Sequence, residues 1–388
     1  MISEPQNIVS RYVQRRALLL SLILLGLLFV ITAALARTFH AREEGLTAEW
    51  FQKGNADLAN GKPSLAFEDF RNSLSYGPEN TEVQLRLAEA LLADGRFTEA
   101  RSYLTNLWDR TPGSGEVNLD LARVSLQTGD VAQTIHYFRG AILGSWEKEP
   151  ALQRRTVRLE LCEFLLAHRM TEDAQAEIAG LAAETPAGDG ILLVENGLLF
   201  LRAGESGKAL AEFEAALRID PRQSQWLADA GHVAFEDGDY LKAETYFSKS
   251  DRENPSPEIH ASLVLVRDVL GNDPYLAGLS DEEQARRTLR DFDLGLERLR
   301  NCSGNSGSGS GGLSSVLSPS ELQPLNKDAQ DLQKRIKLPS LGGNPELRNV
   351  AMQFVYRIED TASRICGPAT GLDQALTLIE KRHEGNNL

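Results

Sequence analysis

The chain has 388 residues, of which 42% are hydrophobic, and its formal net charge is −14. This length allows two or three domains with a well-developed core. Residues 1–42 contain five arginines and one glutamate, so the remainder carries 36 basic against 54 acidic residues, a net charge of −18. A field of this sign repels phosphate groups, which argues against nucleic acids and anionic membrane surfaces as partners.

A stretch near the amino terminus predicts one membrane crossing. Residues 17–36 contain no charge in twenty positions and would span about 30 Å as a helix. The arginines within residues 1–16 favour a cytoplasmic amino terminus, with the rest of the chain outside the cytoplasm. The alternative is a signal peptide cleaved after Ala36, which would release a soluble protein. Residues 37–46 would form a short charged connector in the anchored form.

Residues 47–257 repeat a pattern of two short amphipathic helices joined by a turn. A small residue in the first helix recurs at intervals of 34, 34, 40, 35 and 34, and a second small residue in the second helix recurs at the same five intervals. Such helices bury their apolar stripes only against neighbouring repeats, so the pattern predicts a stacked array. The first-helix residues are Gly54, Ala88, Ala122, Cys162, Gly197 and Gly231, and the second-helix residues are Ala66, Ala100, Thr134, Ala174, Ala209 and Ala243. Large apolar partners follow at Phe70, Leu104, Phe138, Ile178, Phe213 and Phe247, and terminating prolines at Pro78, Pro112, Pro150, Pro186, Pro221 and Pro255.

This order of small, small, large and proline residues resembles the tetratricopeptide repeat. The match is fullest in the first repeat, at Trp50 and Gly54, and in the sixth, at Gly231, Tyr240, Ala243, Phe247 and Pro255. Thr134 and Cys162 depart from it. The resemblance implies an all-α, helix-turn-helix solenoid like those of membrane-anchored, extracytoplasmic bacterial proteins of this family. Its six repeats would be residues 47–80, 81–114, 115–148, 155–188, 190–223 and 224–257.

The resemblance also implies a partner groove lined by first-helix residues. One interpretation is a groove for an apolar helix or an extended peptide, and the other is that its leucines only pack neighbouring repeats. Phe51 stands where the family's clamp for carboxylate tails needs a lysine, which argues against that clamp. The predicted groove residues are Phe51, Asn55, Leu85, Glu89, Leu92, Leu119, Arg123, Leu126, Leu159, Glu163, Leu166, Val194, Leu201, His232 and Phe235.

A lengthened connection between repeats three and four carries Trp146. This tryptophan is either a contact residue for a partner or a cap on the adjacent apolar seam.

Beyond the repeats, the sequence predicts three segments. Residues 258–302 form capping helices, the second of them opened by a capping box at Ser280. Residues 303–317 form a flexible linker rich in glycine and serine. Residues 318–388 form a small helical region with three helices.

Reactive chemistry is sparse in the sequence. Cys162 occupies a packing position, whereas Cys302 and Cys366 follow predicted helices and flank the linker, so we expect a disulfide between them in an oxidising compartment. The six histidines are scattered, and residues 204–208, GESGK, lack the full spacing of a phosphate-binding loop. We therefore expect no metal, nucleotide, cofactor or catalytic residue.

Together these features predict a non-enzymatic scaffold or chaperone-like adaptor for a protein or peptide partner. It would be a single-pass protein of the inner membrane, facing the periplasm, in cell-envelope assembly, secretion or protein maturation. The alternatives are a regulator facing the cytoplasm and an accessory subunit of an envelope enzyme with activity in the C-terminal region.

Overall fold

The computed structural model describes residues 6–305 and 321–385, which form eighteen α-helices. No β-strand occurs within these two ranges, and one isolated bridge joins Ser114 to Ser145. The chain divides into two compact units between Phe164 and Leu165. The helices up to this division are α1 Gln6–Ala59, α2 Pro63–Tyr76, α3 Thr81–Ala93, α4 Phe97–Arg110, α5 Gly115–Thr128, α6 Val131–Leu143 and α7 Pro150–Ala167, which crosses it. Those that follow are α8 Thr171–Glu184, α9 Gly190–Arg202, α10 Ser206–Ile219, α11 Ser224–Glu236, α12 Tyr240–Glu253, α13 Pro257–Asn272, α14 Asp281–Asn305, α15 Leu322–Arg335, α16 Leu338–Gly342, α17 Pro345–Cys366 and α18 Leu372–Gly385.

The first helix joins the apolar segment to the first repeat without a break. Helix α1 contains both residues 17–36 and the first helix of repeat one. The predicted connector, residues 37–46, is therefore helical rather than a separate link. Within the described residues, α1 is the one helix long and apolar enough to cross a membrane, a test that a signal sequence also passes.

The repeat register agrees with the packing at every position. All six small residues of the first helices, all six small residues of the second helices and all six large partners are buried. A Cβ atom on Gly54, Gly197 or Gly231 would lie within 3.0 Å of the ring of the phenylalanine sixteen residues later. Only glycine allows this closeness of the two helices in these three repeats, so their pairing of glycine with phenylalanine is steric.

The turn inside each repeat uses a left-handed residue seven positions after the small residue of the first helix. Glycine occupies this place in five repeats, at Gly61, Gly95, Gly129, Gly204 and Gly238. Repeat four has Arg169 there, with φ of 58°. This divergent repeat therefore keeps the left-handed turn, although arginine is sterically strained in that conformation.

The C-terminal region packs directly on the end of the array. Helices α14 and α17 lie against each other, α13 contacts α18, and one core joins residues of repeat six, α13, α14 and α15–α18. Residues 318–388 were expected to form a separate region beyond a linker, but their described part shares this core because α17 supplies a long apolar face. Helix α14 runs to Asn305, and the rest of the predicted linker, residues 306–317, lies outside the described residues.

Candidate functional site

The predicted groove residues lie on the first helices of the repeats and differ in their exposure. We call the side of these helices that carries them the A-helix face. Leu85 and Leu119 are only 8% exposed, so they pack the seams between repeats and offer little surface. The more accessible positions are Leu126, which is 40% exposed, and the exposed Arg123 and Glu163. Half-buried positions are Phe51, Asn55, Glu89, Leu92, Leu159, Leu166, Val194, Leu201, His232 and Phe235.

The A-helix face of the first unit is charged. Arg86 on α3 binds Glu89 with a nitrogen to oxygen distance of 2.7 Å, and Arg123 on α5 reaches Glu160 on α7 at 2.9 Å. Asp120 lies beside Arg123 at 3.7 Å, but its Oδ2 is buried without a hydrogen-bond partner. Burial, reinforced by the neighbouring Glu89, raises the pKa of Asp120 to about 8. The repeat pattern predicted Glu89 and Arg123 as groove residues but not Asp120, which lies one turn before Arg123 on α5.

Trp146 is fixed on the adjacent helix rather than held out in solvent. Its indole nitrogen donates a hydrogen bond to the carbonyl oxygen of Ala141 at 3.0 Å. The ring covers Gly115 so closely that a Cβ there would lie 2.3 Å from it. Ser145 holds the loop by backbone hydrogen bonds, donating to Gly113 and accepting from Gly115. This geometry agrees with the capping interpretation, although the half-buried indole still borders a pocket of about 560 Å³.

The A-helix face of the second unit is apolar on α9. Ile191 is 74% exposed and Leu198 is also exposed, while Val194 and Leu201 are half-buried. These four residues are spaced by three, four and three positions, so they form one stripe along the helix. Val194 and Leu201 were predicted from the repeat pattern, whereas Ile191 and Leu198 were not. Their signal was present as two short apolar runs, residues 191–194 and 198–201, from which the repeat pattern selected only one position each.

The structure joins Cys302 at the end of α14 to Cys366 at the end of α17 in a disulfide. The two Cα atoms are 5.7 Å apart, within the range that such bonds require. Cys302 is buried and Cys366 is exposed. The bond therefore ties two helices of the C-terminal core at its surface.

The C-terminal core contains several buried carboxyl groups. Asp273, at the end of α13, accepts a hydrogen bond from Arg382 at 2.8 Å and lies 3.3 Å from a ring nitrogen of His383, both on α18. Asp291 and Glu359 are fully buried, and neither carboxylate has a hydrogen-bond partner. Burial raises the pKa of each to about 8, so both carboxyl groups hold their protons near neutral pH.

The described residues contain no group of three or more histidine, cysteine, aspartate or glutamate side chains placed to hold a metal ion. The GESGK segment spans the turn between α9 and α10 and the first residues of α10, and Gly204 supplies the left-handed residue of the turn at φ of 77°. Its glycine is therefore explained by the turn of repeat five.

Comparison with known proteins gives matches to one kind of repeat. Two family models described as tetratricopeptide repeat match residues 57–102 and 91–136, and residues 194–256. Tetratricopeptide repeat protein 37 of Xenopus laevis is 23% identical over 192 residues, which are 48% of this chain and 12% of that protein. Superkiller complex protein 3 of Homo sapiens is 26% identical over 110 residues, which are 28% of this chain and 7% of that protein. The chain thus spans about an eighth or less of the length of these relatives.

One solved structure that the comparison matches is that of YrrB, a TPR protein with an unusual peptide-binding site. It is 16% identical, with a TM-score of 0.35, and the alignment covers 49% of this chain and 94% of that one.

The paired helices, the steric match of small and large residues and the recurring left-handed turn define a helical-repeat protein. The repeats within residues 57–136 and 194–256 are tetratricopeptide repeats, a fold that generally mediates protein–protein interaction.

Proposed function

We propose that this chain is a non-enzymatic scaffold or chaperone-like adaptor that holds a protein or peptide partner on its A-helix face. The observation that carries the proposal is the accessibility of residues on that face which are not needed for packing. Leu126 in the first unit, and Ile191 and Leu198 in the second, are apolar and exposed on helices whose opposite sides are fully buried. A partner that covers them removes apolar surface from water, which favours binding.

The proposal includes anchoring in the inner membrane through residues 17–36, with the amino terminus inside and the bulk of the chain in the periplasm. Two features support it. Helix α1 carries an apolar stretch of spanning length preceded by arginines, and the disulfide between Cys302 and Cys366 suits an oxidising compartment. The process served would be cell-envelope assembly, secretion or protein maturation.

Crosslinking in intact cells tests partner binding. We expect Leu126→Glu and Leu198→Glu to lose crosslinked partners, because a charge placed on the A-helix face opposes apolar contact. Leu65→Glu and Leu241→Glu are matched controls, since these leucines are also exposed but lie on second helices. Retention of every partner by both A-helix variants would contradict the proposal.

Reporter fusions at the carboxyl end test the orientation. We expect activity from a reporter that works only outside the cytoplasm. Activity from a cytoplasmic reporter alone would instead support the regulator facing the cytoplasm.

A further inference from the structure

The inference concerns the pocket of about 560 Å³ that lies between α3, α5 and the loop at residues 144–149. Leu85 and Val117 form its apolar floor, and the half-buried indole of Trp146 forms one wall. This loop exists because repeat three is followed by a longer connection than any other repeat. The pocket is therefore a feature of this chain rather than of its repeat type.

Three carboxylates line the pocket, at Glu82, Glu116 and Glu147. Among the described residues, none of the three takes part in an ion pair or a side-chain hydrogen bond. Two cations also line it, but Arg86 is already held by Glu89 at 2.7 Å, which leaves Lys148. Arg86 and Lys148 attract Glu116 without forming a direct ion pair with it, and the side chains that line the cavity include one more carboxylate than cations.

Glu116 is the carboxylate most affected by this arrangement. Burial, reinforced by the nearby Glu147, raises the pKa of Glu116 above its ordinary value. Glu82 and Glu116 also lie in the first turns of α3 and α5, where the helix dipole stabilises a negative charge. The dipole explains why acidic residues are tolerated there, but it does not explain a partly desolvated carboxylate beside a second one.

We propose that this pocket receives the lysine or arginine side chain of an extended peptide segment of the partner. The cation would pair with the carboxylates of Glu116 and Glu147. Its methylene stem would lie along the indole of Trp146 and the apolar floor of the pocket. Recognition of this kind joins ion pairing with cation–aromatic contact in a partly enclosed site. The inference rests on the proposed function and names the chemistry of the residue recognised by the first unit.

The test uses the full-length chain in detergent micelles with labelled tryptophan, and it follows the indole N–H signal of Trp146 by NMR. The probes are three short peptides that differ only at their central residue, which is lysine, the uncharged norleucine or glutamate. The key variant is Glu116→Gln. Its matched control is Glu258→Gln, because Glu258 is an exposed first-turn acid of α13 in the other unit.

We expect the lysine peptide to shift the Trp146 signal and to bind about ten times more tightly than the norleucine peptide. Glu116→Gln should weaken the lysine peptide by about the same factor, while Glu258→Gln should leave it unchanged. Raising the salt concentration from about 50 to about 300 mM should weaken the lysine peptide alone.

Equal binding of the lysine and norleucine peptides, no effect of Glu116→Gln, or no shift of the Trp146 signal at millimolar lysine peptide would each overturn the inference. Loss of crosslinked partners in Leu126→Glu and Leu198→Glu would in that case still support the proposed function. Retention of the partners by those variants would instead remove the proposed function itself.

Discussion

Replacing Glu359 by glutamine should stabilise the C-terminal core at neutral pH. Glu359 lies on α17, is fully buried, and has no hydrogen-bond partner for either carboxylate oxygen. Its nearest cation is Arg298, whose Nε is 3.7 Å away and also 3.6 Å from Asp373. Desolvation therefore outweighs the attraction of a shared arginine, and it raises the pKa of Glu359 from 4.5 to about 8.

The magnitude follows from this difference in pKa between the unfolded and folded states. The folded protein keeps the proton above pH 4.5, whereas the unfolded chain releases it, so stability falls as the pH rises from about 4.5 to about 8. At pH 7, which is roughly 2.5 pH units above the unfolded pKa, the folded protein has lost about 3 kcal/mol of stability relative to low pH. Glutamine cannot ionise, so the variant should lack this loss and should match the wild type below about pH 4.

Hydrogen exchange of α17 between about pH 5 and pH 8 measures the effect locally, after correction for the intrinsic exchange rate. The control is Asp360→Asn, which changes an exposed carboxylate paired with Arg364 at 3.1 Å and should alter stability by less than about 1 kcal/mol. The reasoning would be refuted if Glu359→Gln lowered the protection of α17 at pH 8 or left its pH dependence unchanged.

Three further outcomes are expected. In protein isolated from its native compartment, mass spectrometry should show Cys302 joined to Cys366, and recovery of two free thiols would contradict the pairing. Replacing both cysteines by serine should lower the free energy of unfolding by about 4 kcal/mol in the chain-entropy model, for a sequence separation of 64. Arg169→Gly should raise the free energy of unfolding by about 1 kcal/mol, because glycine adopts φ of 58° without steric cost; a loss of stability in urea denaturation would argue against strain at this turn. Ala243→Trp should lower stability by about 1 to 3 kcal/mol by overfilling the contact between α11 and α12, and an unchanged melting temperature would contradict the repeat register.

The repeat register was predictable because it depends on contacts between residues close in sequence. In every repeat the small residue of the first helix precedes its large partner by sixteen positions, as Gly231 precedes Phe247. This constant spacing can be read directly from the sequence. The same holds for α13 and for the capping box of α14, where Ser280 accepts a hydrogen bond from the backbone of Glu283 at 3.3 Å. Local chemistry fixes both features.

The candidate site was less predictable because exposure depends on the neighbouring repeat. Leu92 and Leu126 occupy the same position of successive repeats, yet the first is half-buried and the second is exposed. The raised pKa of Asp120 likewise depends in part on Glu89 of α3, which no spacing within α5 reveals. The expected disulfide brings the ends of α14 and α17 together, but the packing along the two helices could not be predicted, because a glycine-rich stretch that looked like a boundary separates them in sequence.

The shared C-terminal core gives the tail a definite physical role. A terminal repeat would leave an apolar face in water unless another element covered it. Here Phe235 of repeat six packs against the core that also contains Leu376 and Ile379 of α18, and Arg382 of the same helix binds the buried Asp273. Phe235, which the repeat pattern assigns to the partner groove, is half-buried and lines a cleft together with Leu378 and Arg382 of α18. The stripe on α9 is more exposed than Phe235, and for this reason we propose the apolar contact of the second unit on α9 rather than at repeat six.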